Sequence, residues 1–530
     1  MNVAPSWSSL AVDAASDRGV ARPGPESSPA PDVQDAPASR PAMTDRADSI
    51  ATILAKARRS QGRWAASPLA ARLHVVRRAR HLFAEAGLRL AEASAACRQR
   101  PAAEALTAEV LPLAAACRFL EREAARLLRP RRPGLWSRPL WLGGIGSEVR
   151  REPFGVVLVI GPGNYPLFLA GVQALQALAA GNAVLLKPAP GSATPVRLFV
   201  DLLHQAGLDP DLAQVLPDTT EAAQAALGAG VDKVVFTGSA DTGARILAQI
   251  APRLTPSTME LSGCDAVFVR ADADLDLVTR SVSFGLQLNG GATCIGPRRL
   301  FVPRSLATEL EGRLARALGA SSSFALRGPA ADRVRPLVEE ALAGGAHLVA
   351  GSLAPDGALQ LPLVLAGVPR GSALLREDVF ASVLSVVAVD GDDEALALAA
   401  ESPYALGATV FGRDEAAARA LAGRVRAGGV VVNDMVAPTA DPRLPFGGRG
   451  RSGFGVTRGA EGLLEMTTPK VIQWNRARWR PHLDPAAMGD ADLFAAFLQF
   501  LHGPGRGRGA ALRRLMTLGR RRMTSPKDTA

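Results

Sequence analysis

The chain has 530 residues, 48% hydrophobic and 21% charged, the make-up of a globular protein able to bury a large core in about three domain-sized units. Its net charge of +11 gathers in the tail, where ten Arg and one Lys face four Asp from Val471 onward, so the mildly basic middle does not read as a nucleic-acid binder. Four scattered cysteines (Cys97, Cys117, Cys264, Cys294) exclude a paired disulfide framework and a zinc-type metal site, and no signal peptide or apolar run of the roughly 18 residues a spanning helix needs is found, so a cytoplasmic location is expected.

In chain order, residues 1–48 are rich in Pro, Ala, Ser and Asp without sustained periodicity and read as disordered. Residues 49–128 carry helical patterns, as in Ala70-Ala71-Arg72-Leu73-His74-Val75-Val76-Arg77-Arg78-Ala79, where apolar residues recur at three and four positions. Arg129-Pro130-Arg131-Arg132-Pro133-Gly134 breaks them, and residues 141–151 look like a short hairpin turning at Gly143-Gly144. From there strands and helices alternate. Strands are expected at 155–160, 182–187, 212–216, 233–236 and 258–261, with helices at 167–180 and 194–206. A second series follows, with strands at 266–269, 299–302, 385–389 and 430–433. Such alternation predicts an α/β fold with parallel, doubly wound sheets of Rossmann-like type. After an amphipathic stretch at 492–501, the glycine-rich residues 503–509 read as a flexible linker before a basic end.

The chemistry-bearing stretches have bland alternatives. Cys294 follows Asn289-Gly290-Gly291-Ala292-Thr293, a turn whose backbone N–H groups can face whatever the sulfur attacks; a lone Cys is otherwise a small buried hydrophobe. Glu260 is a carboxylate inside the apolar run Thr258-Met259-Glu260-Leu261. The usual dinucleotide fingerprint is absent after the first strand, where Gly161-Pro162-Gly163-Asn164-Tyr165-Pro166 stands instead. Phe236-Thr237-Gly238-Ser239-Ala240-Asp241-Thr242-Gly243 is the better anion cradle, because free N–H groups and a hydroxyl open a helix there; the alternative is a turn merely capped by Ser239. Lys187 ends a strand on the side where ligands collect in such sheets.

Taken in order, Asn164, Lys187-Pro188-Ala189, Phe236-Thr237-Gly238-Ser239, Met259-Glu260-Leu261-Ser262-Gly263, Cys294, Asp378-Val379-Phe380 and Pro445-Phe446-Gly447-Gly448 resemble the aldehyde dehydrogenase superfamily across roughly residues 49–472. The resemblance implies NAD(P)-dependent oxidation of an aldehyde to a carboxylic acid. Cys294 would be the nucleophile, its surroundings lowering its pKa; Asn164 would hold the oxyanion and Glu260 would activate water. Lys187, Gly238, Ser239 and Gly243 would bind the dinucleotide, NAD or NADP, and Asp378 with Phe380 would place its nicotinamide ribose. Several positions depart from the family pattern. Pro190 replaces an acidic residue that would hold the adenosine ribose, Asp378 replaces Glu, Phe380-Ala381-Ser382 replaces Phe-Gly-Pro, and Ala292 replaces Gln. Both dinucleotides therefore stay open.

The resemblance also implies an organisation. Residues 49–136 and 153–260 would form the dinucleotide-binding domain and 261–466 the catalytic domain. Segments 137–152 and 467–473 would form a small bridging β-hairpin carrying a homodimer contact, alone or in a dimer of dimers. Residues 474–530 would be a basic extension. Trp474, Trp479 and nearby Arg residues could mark a membrane or partner contact, but a solvated basic tail is the reading preferred, with no membrane contact. Cys264 is expected to pack. Two rival functions are a CoA-acylating aldehyde dehydrogenase, against which Glu260 speaks, and a catalytically idle scaffold.

Overall fold

The computed structural model describes residues 49–524 apart from 135, 137, 143, 321, 322, 478, 479 and 484. The expectations for residues 1–48, Ser137, Gly143 and Trp479 lie outside the described residues.

Helices Ile50–Ala66, Leu69–Glu85, Gly87–Arg98 and Leu111–Leu128 occupy the predicted helical region, the first capped by Ser49 Oγ, which accepts from the Thr52 N–H. Leu69–Glu85 and Leu111–Leu128 pack on helix Phe168–Ala180, which itself lies on a six-stranded sheet. Its order is Gly453–Phe454, Ser257–Leu261, Lys233–Gly238, Val156–Ile160, Ala183–Lys187, Ala213–Val215, all parallel except the first. Val156–Ile160 is buried along its whole length, as the β-branched run requires of a strand covered on both faces. Helix Phe168–Ala180 is likewise buried all round, consistent with its lack of a polar face. Gly171 lets the helix Leu111–Leu128 approach it, since a Cβ there would stand 2.9 Å from Leu113 Cδ1.

The chain winds outward from Val156–Ile160 in one direction and then returns to its other side with Lys233–Gly238. Ligands collect at this reversal, beyond the carboxyl ends of the two strands. Immediately after Ser257–Leu261 the chain crosses into the second sheet. Its order is His347–Leu353, Leu359–Ala366, Val383–Val389, Pro297–Pro303, Asp265–Val269, Gly407–Phe411, Gly429–Val432, with Phe324–Leu326 pairing Leu359–Ala366. The crossing puts Glu260 at the seam between the sheets. One short strand inside residues 261–466, Gly453–Phe454, returns to the first sheet and pairs Gly453 with Glu260.

Three local expectations change. Residues 141–151 form no local hairpin: Leu140–Leu142 is a 3-10 turn, and Ile145–Pro153 pairs antiparallel with the distant strand Thr467–Asn475. Non-local pairing of this kind has no signature in a short window. Trp474 lies opposite Gly146 in that ribbon, and a Cβ on Gly146 would fall 2.2 Å from the indole, so the ring packs on the ribbon. Residues 503–509 are no flexible linker but a tight turn, including the 3-10 segment Gly505–Gly507, between helices Asp490–His502 and Arg508–Thr524.

Candidate active site

Cys294 sits half-buried on a loop whose geometry its sequence dictates. Asn289, Gly290 and Gly291 are consecutively left-handed, at φ 53°, 59° and 75°. Only glycine fits the third position, where a Cβ would lie 2.5 Å from the Ser382 nitrogen. The loop is braced from several sides. Buried Arg298 donates through Nη2 to the carbonyls of Gly291 (2.9 Å) and Thr293 (3.1 Å), Tyr165 Oη meets Thr293 Oγ1 at 2.7 Å, and Asn289 Nδ2 donates to the Asn164 carbonyl at 2.9 Å. Asn164 is buried, and its Nδ2 donates to the Ala292 carbonyl at 3.0 Å. That bond uses one amide hydrogen and leaves the second for another acceptor.

Glu260 is buried at the seam. Its Oε2 accepts from Thr457 Oγ1 at 3.3 Å, Gln173 Nε2 at 3.4 Å and Thr237 Oγ1 at 3.5 Å, while Oε1 has no hydrogen-bond partner. A buried carboxylate oxygen without a donor is costly, which holds the proton on and marks a position for water. Burial pushes the Glu260 carboxyl above its usual range against the opposing Arg458 charge and the three hydrogen bonds. The Cys294 thiol is also pushed up, by burial first and then by the negative charges of Glu260 and Asp265, with Arg458 and the Ile295 N–H opposing. This corrects the expectation of a lowered cysteine pKa. A protein-lined pocket with carboxylates beside the sulfur disfavours the thiolate, so the proton needs an acceptor.

Two cavities meet at these side chains. The larger, about 1280 Å³, is lined by Phe168, Leu169, Phe284, Phe324, Leu326 and Phe446 among others, and both Cys294 and Glu260 reach into it. The smaller, about 640 Å³, lies at the sheet's reversal point and is lined by Asn164, Lys187, Gly238, Ser239, Asp378 and Phe380 as well as by Cys294 and Glu260. The sequence thus nominated residues from six separate segments that share one space. Gly238 permits the chain to pass the Phe236 ring, since a Cβ would lie 2.4 Å from it. Ser239 caps the helix Ala240–Ile250 and also lines the cavity. Lys187 is buried and desolvation lowers its pKa, with Asp218 and Glu221 opposing. The Asp378 Oδ1 accepts from the Phe380 N–H at 3.1 Å, and Phe380 adopts φ 35°. Gly243 does not line the cavity: a Cβ there would fall 2.8 Å from Leu261, so its smallness serves helix–sheet packing. Cys264 is buried with its Sγ toward the Leu375 carbonyl, as expected of a packing residue.

Other participants went unnoticed in the sequence. Arg458, at φ 63°, places its guanidinium 4.3 Å from the Phe446 ring centre, with Nη1 donating to the Thr439 carbonyl. It supplies positive charge to both Cys294 and Glu260. Its position beyond Pro445-Phe446-Gly447-Gly448 was the only signal available. Arg245 lines the smaller cavity together with Pro190. The donors a dinucleotide needs fit that space: a helix N-terminus for its phosphates, Lys187 for a ribose hydroxyl and Phe380 beside the cysteine end.

The chain matches the family model "Aldehyde dehydrogenase family" over residues 30–472. It is 31% identical over 478 residues to the 4,4'-diapolycopene aldehyde oxidase of Methylomonas sp, covering 88% of each chain. It is also 31% identical over 456 residues to a Mycolicibacterium smegmatis protein named "Putative succinate-semialdehyde dehydrogenase (NADP(+))", covering 83% of this chain and 86% of that one. Among solved structures, the NAD-dependent aldehyde dehydrogenase from Sinorhizobium meliloti superposes with TM-score 0.76 at 27% identity, over 82% of this chain and 88% of that one.

Proposed function

Because the chain belongs to the aldehyde dehydrogenase family, and is an oxidoreductase that converts an aldehyde to a carboxylic acid with NAD or NADP, we propose that Cys294, Asn164 and Glu260 perform that reaction. The observation that carries the assignment is the meeting of the two cavities at Cys294 and Glu260. One cavity can present an aldehyde and the other a dinucleotide to the same cysteine.

The Cys294 sulfur adds to the aldehyde carbon, and the C=O electron pair moves onto oxygen. The free Asn164 amide hydrogen and the Cys294 N–H receive that oxyanion. With its thiol pKa raised, Cys294 gives up its proton as the sulfur attacks, to water in the larger cavity that carries it to solvent, so Glu260 stays ionised for the later step. The bound dinucleotide supplies a hydride acceptor. The resulting thioester is then cleaved by a water placed at the unpartnered Oε1 of Glu260, which takes the water's proton as its oxygen attacks. Lys187, Gly238, Ser239, Asp378 and Phe380 hold the dinucleotide; Arg298 and Asn289 keep the cysteine loop in register.

The substrate class we favour is a long, apolar aldehyde, supported by the volume and aromatic lining of the larger cavity and by the relative named for diapolycopene aldehyde. Comparing kcat/KM across aldehydes of two to sixteen carbons and across ω-carboxylated aldehydes tests this; a preference for the short carboxylated ones would refute it. The ribbon of Ile145–Pro153 and Thr467–Asn475 is the proposed dimer contact, supported by the exposure of Val471 upon it. We place the enzyme in the cytoplasm; among the described residues no helix is long and apolar enough to cross a membrane.

A further inference from the structure

The tail is built, and what it exposes differs from a solvated basic segment. Helices Asp490–His502 and Arg508–Thr524 fold back on one another, with Ala496 and Ala511 buried and Arg514 paired to Asp492 at 2.6 Å. The pair is fixed to the body by Phe497, whose ring meets Trp141 edge-on at 6.1 Å. Yet Phe494 (59% exposed) and Leu498 (61%) stand one turn apart on one face of the first helix, and Leu512 (38%) and Met516 (53%) do the same on the second. In sequence, residues 490–524 carry seven Arg and two Asp.

We propose that this helical pair is an interfacial contact for an anionic lipid surface, with Phe494 and Leu498 entering the headgroup layer and the arginines meeting lipid phosphates. Two features select this occupant. Large apolar side chains left in water beside dense positive charge are the composition of helices that lie in an interface rather than cross it. The charge complements an anionic leaflet and repels the same segment of a second copy. Neither helix is long and apolar enough to span, so the enzyme would sit on the membrane and not in it. The inference does not depend on which aldehyde is oxidised or on the assignment of Cys294.

The test mixes the full-length protein with sedimentable vesicles of pure phosphatidylcholine or of phosphatidylcholine with 30% phosphatidylglycerol. Binding is expected only to the anionic vesicles. The double variant Phe494→Asp/Leu498→Asp is expected to bind at least about tenfold more weakly, with its melting midpoint and its turnover of a short water-soluble aldehyde unchanged. Equal binding to both vesicle types, no binding to the anionic ones, or unchanged binding by the variant would overturn the proposal. Light scattering that shows the variant halving in mass, without any vesicle binding by the parent, would assign the face to a second copy and overturn it as well.

Discussion

Replacing Glu260 with Gln removes the base while keeping the side chain's shape. In the structure Oε2 takes three contacts of 3.3–3.5 Å, which an amide oxygen can also accept, and Oε1 faces no donor, so the NH₂ group displaces nothing that Glu260 holds. The fold should therefore survive. The lost proton transfer corresponds to roughly 10²–10⁴ in rate, or about 3–5 kcal/mol of barrier. The loss should fall on thioester hydrolysis. Rapid mixing of Glu260→Gln with aldehyde and dinucleotide should give a burst of reduced dinucleotide approaching one per site, followed by turnover slowed by those two to four decades. The pH dependence adds a second reading. A base works only above its own pKa, and burial raises that of Glu260, so the wild-type hydrolysis limb should rise with pH through a midpoint above about 4.3, the ordinary glutamate value. In the variant that limb should vanish. Steady-state turnover within about threefold of wild type, with the pH limb retained, would refute the assignment of Glu260.

Asn164→Ala should lower kcat about 10²–10³-fold, read in steady-state kinetics; part of that loss comes from freeing the Ala292 carbonyl it now holds, and a loss under about threefold would mean a packing role only. Gly291→Ala forces a side chain into a left-handed position 2.5 Å from Ser382, and should destabilise by about 2–4 kcal/mol in denaturant unfolding. Arg245→Ala tests cofactor choice: with Pro190 in place of a carboxylate and an arginine lining the same cavity, KM for NADP should rise about tenfold and that for NAD should hardly change. The Cys294 thiol, held above its usual pKa by burial and by Glu260, should be alkylated by iodoacetamide faster as pH rises, with a midpoint above the roughly 8.5 of a free thiol.

The layers of the fold were legible because its strands are pure. Val156–Ile160 is apolar from end to end and Ala183–Lys187 is apolar up to its terminal lysine, and such runs alternating with helices admit few architectures. Cys294, Glu260 and Asn164 were legible only through the ordered set of motifs, since each alone has a commoner structural reading. What escaped depends on partners far away in sequence. Arg458 matters through Glu260, nearly two hundred positions upstream, and Arg298 through two carbonyls of a loop that no periodicity describes. The direction of the Cys294 pKa was misjudged for the same reason: local sequence cannot weigh burial against the charges that folding brings together. Residues 145–153 look like a local hairpin in a short window because their partner begins at Thr467, and only the family resemblance sets the two segments together.

Covalent capture tests the central claim most directly. Glu260→Gln mixed with a long apolar aldehyde and oxidised dinucleotide, quenched in acid and digested, should yield one peptide carrying the acyl mass, attached at Cys294. Acyl mass on Cys97, Cys117 or Cys264 instead, or its absence despite reduced dinucleotide having formed, would contradict the account.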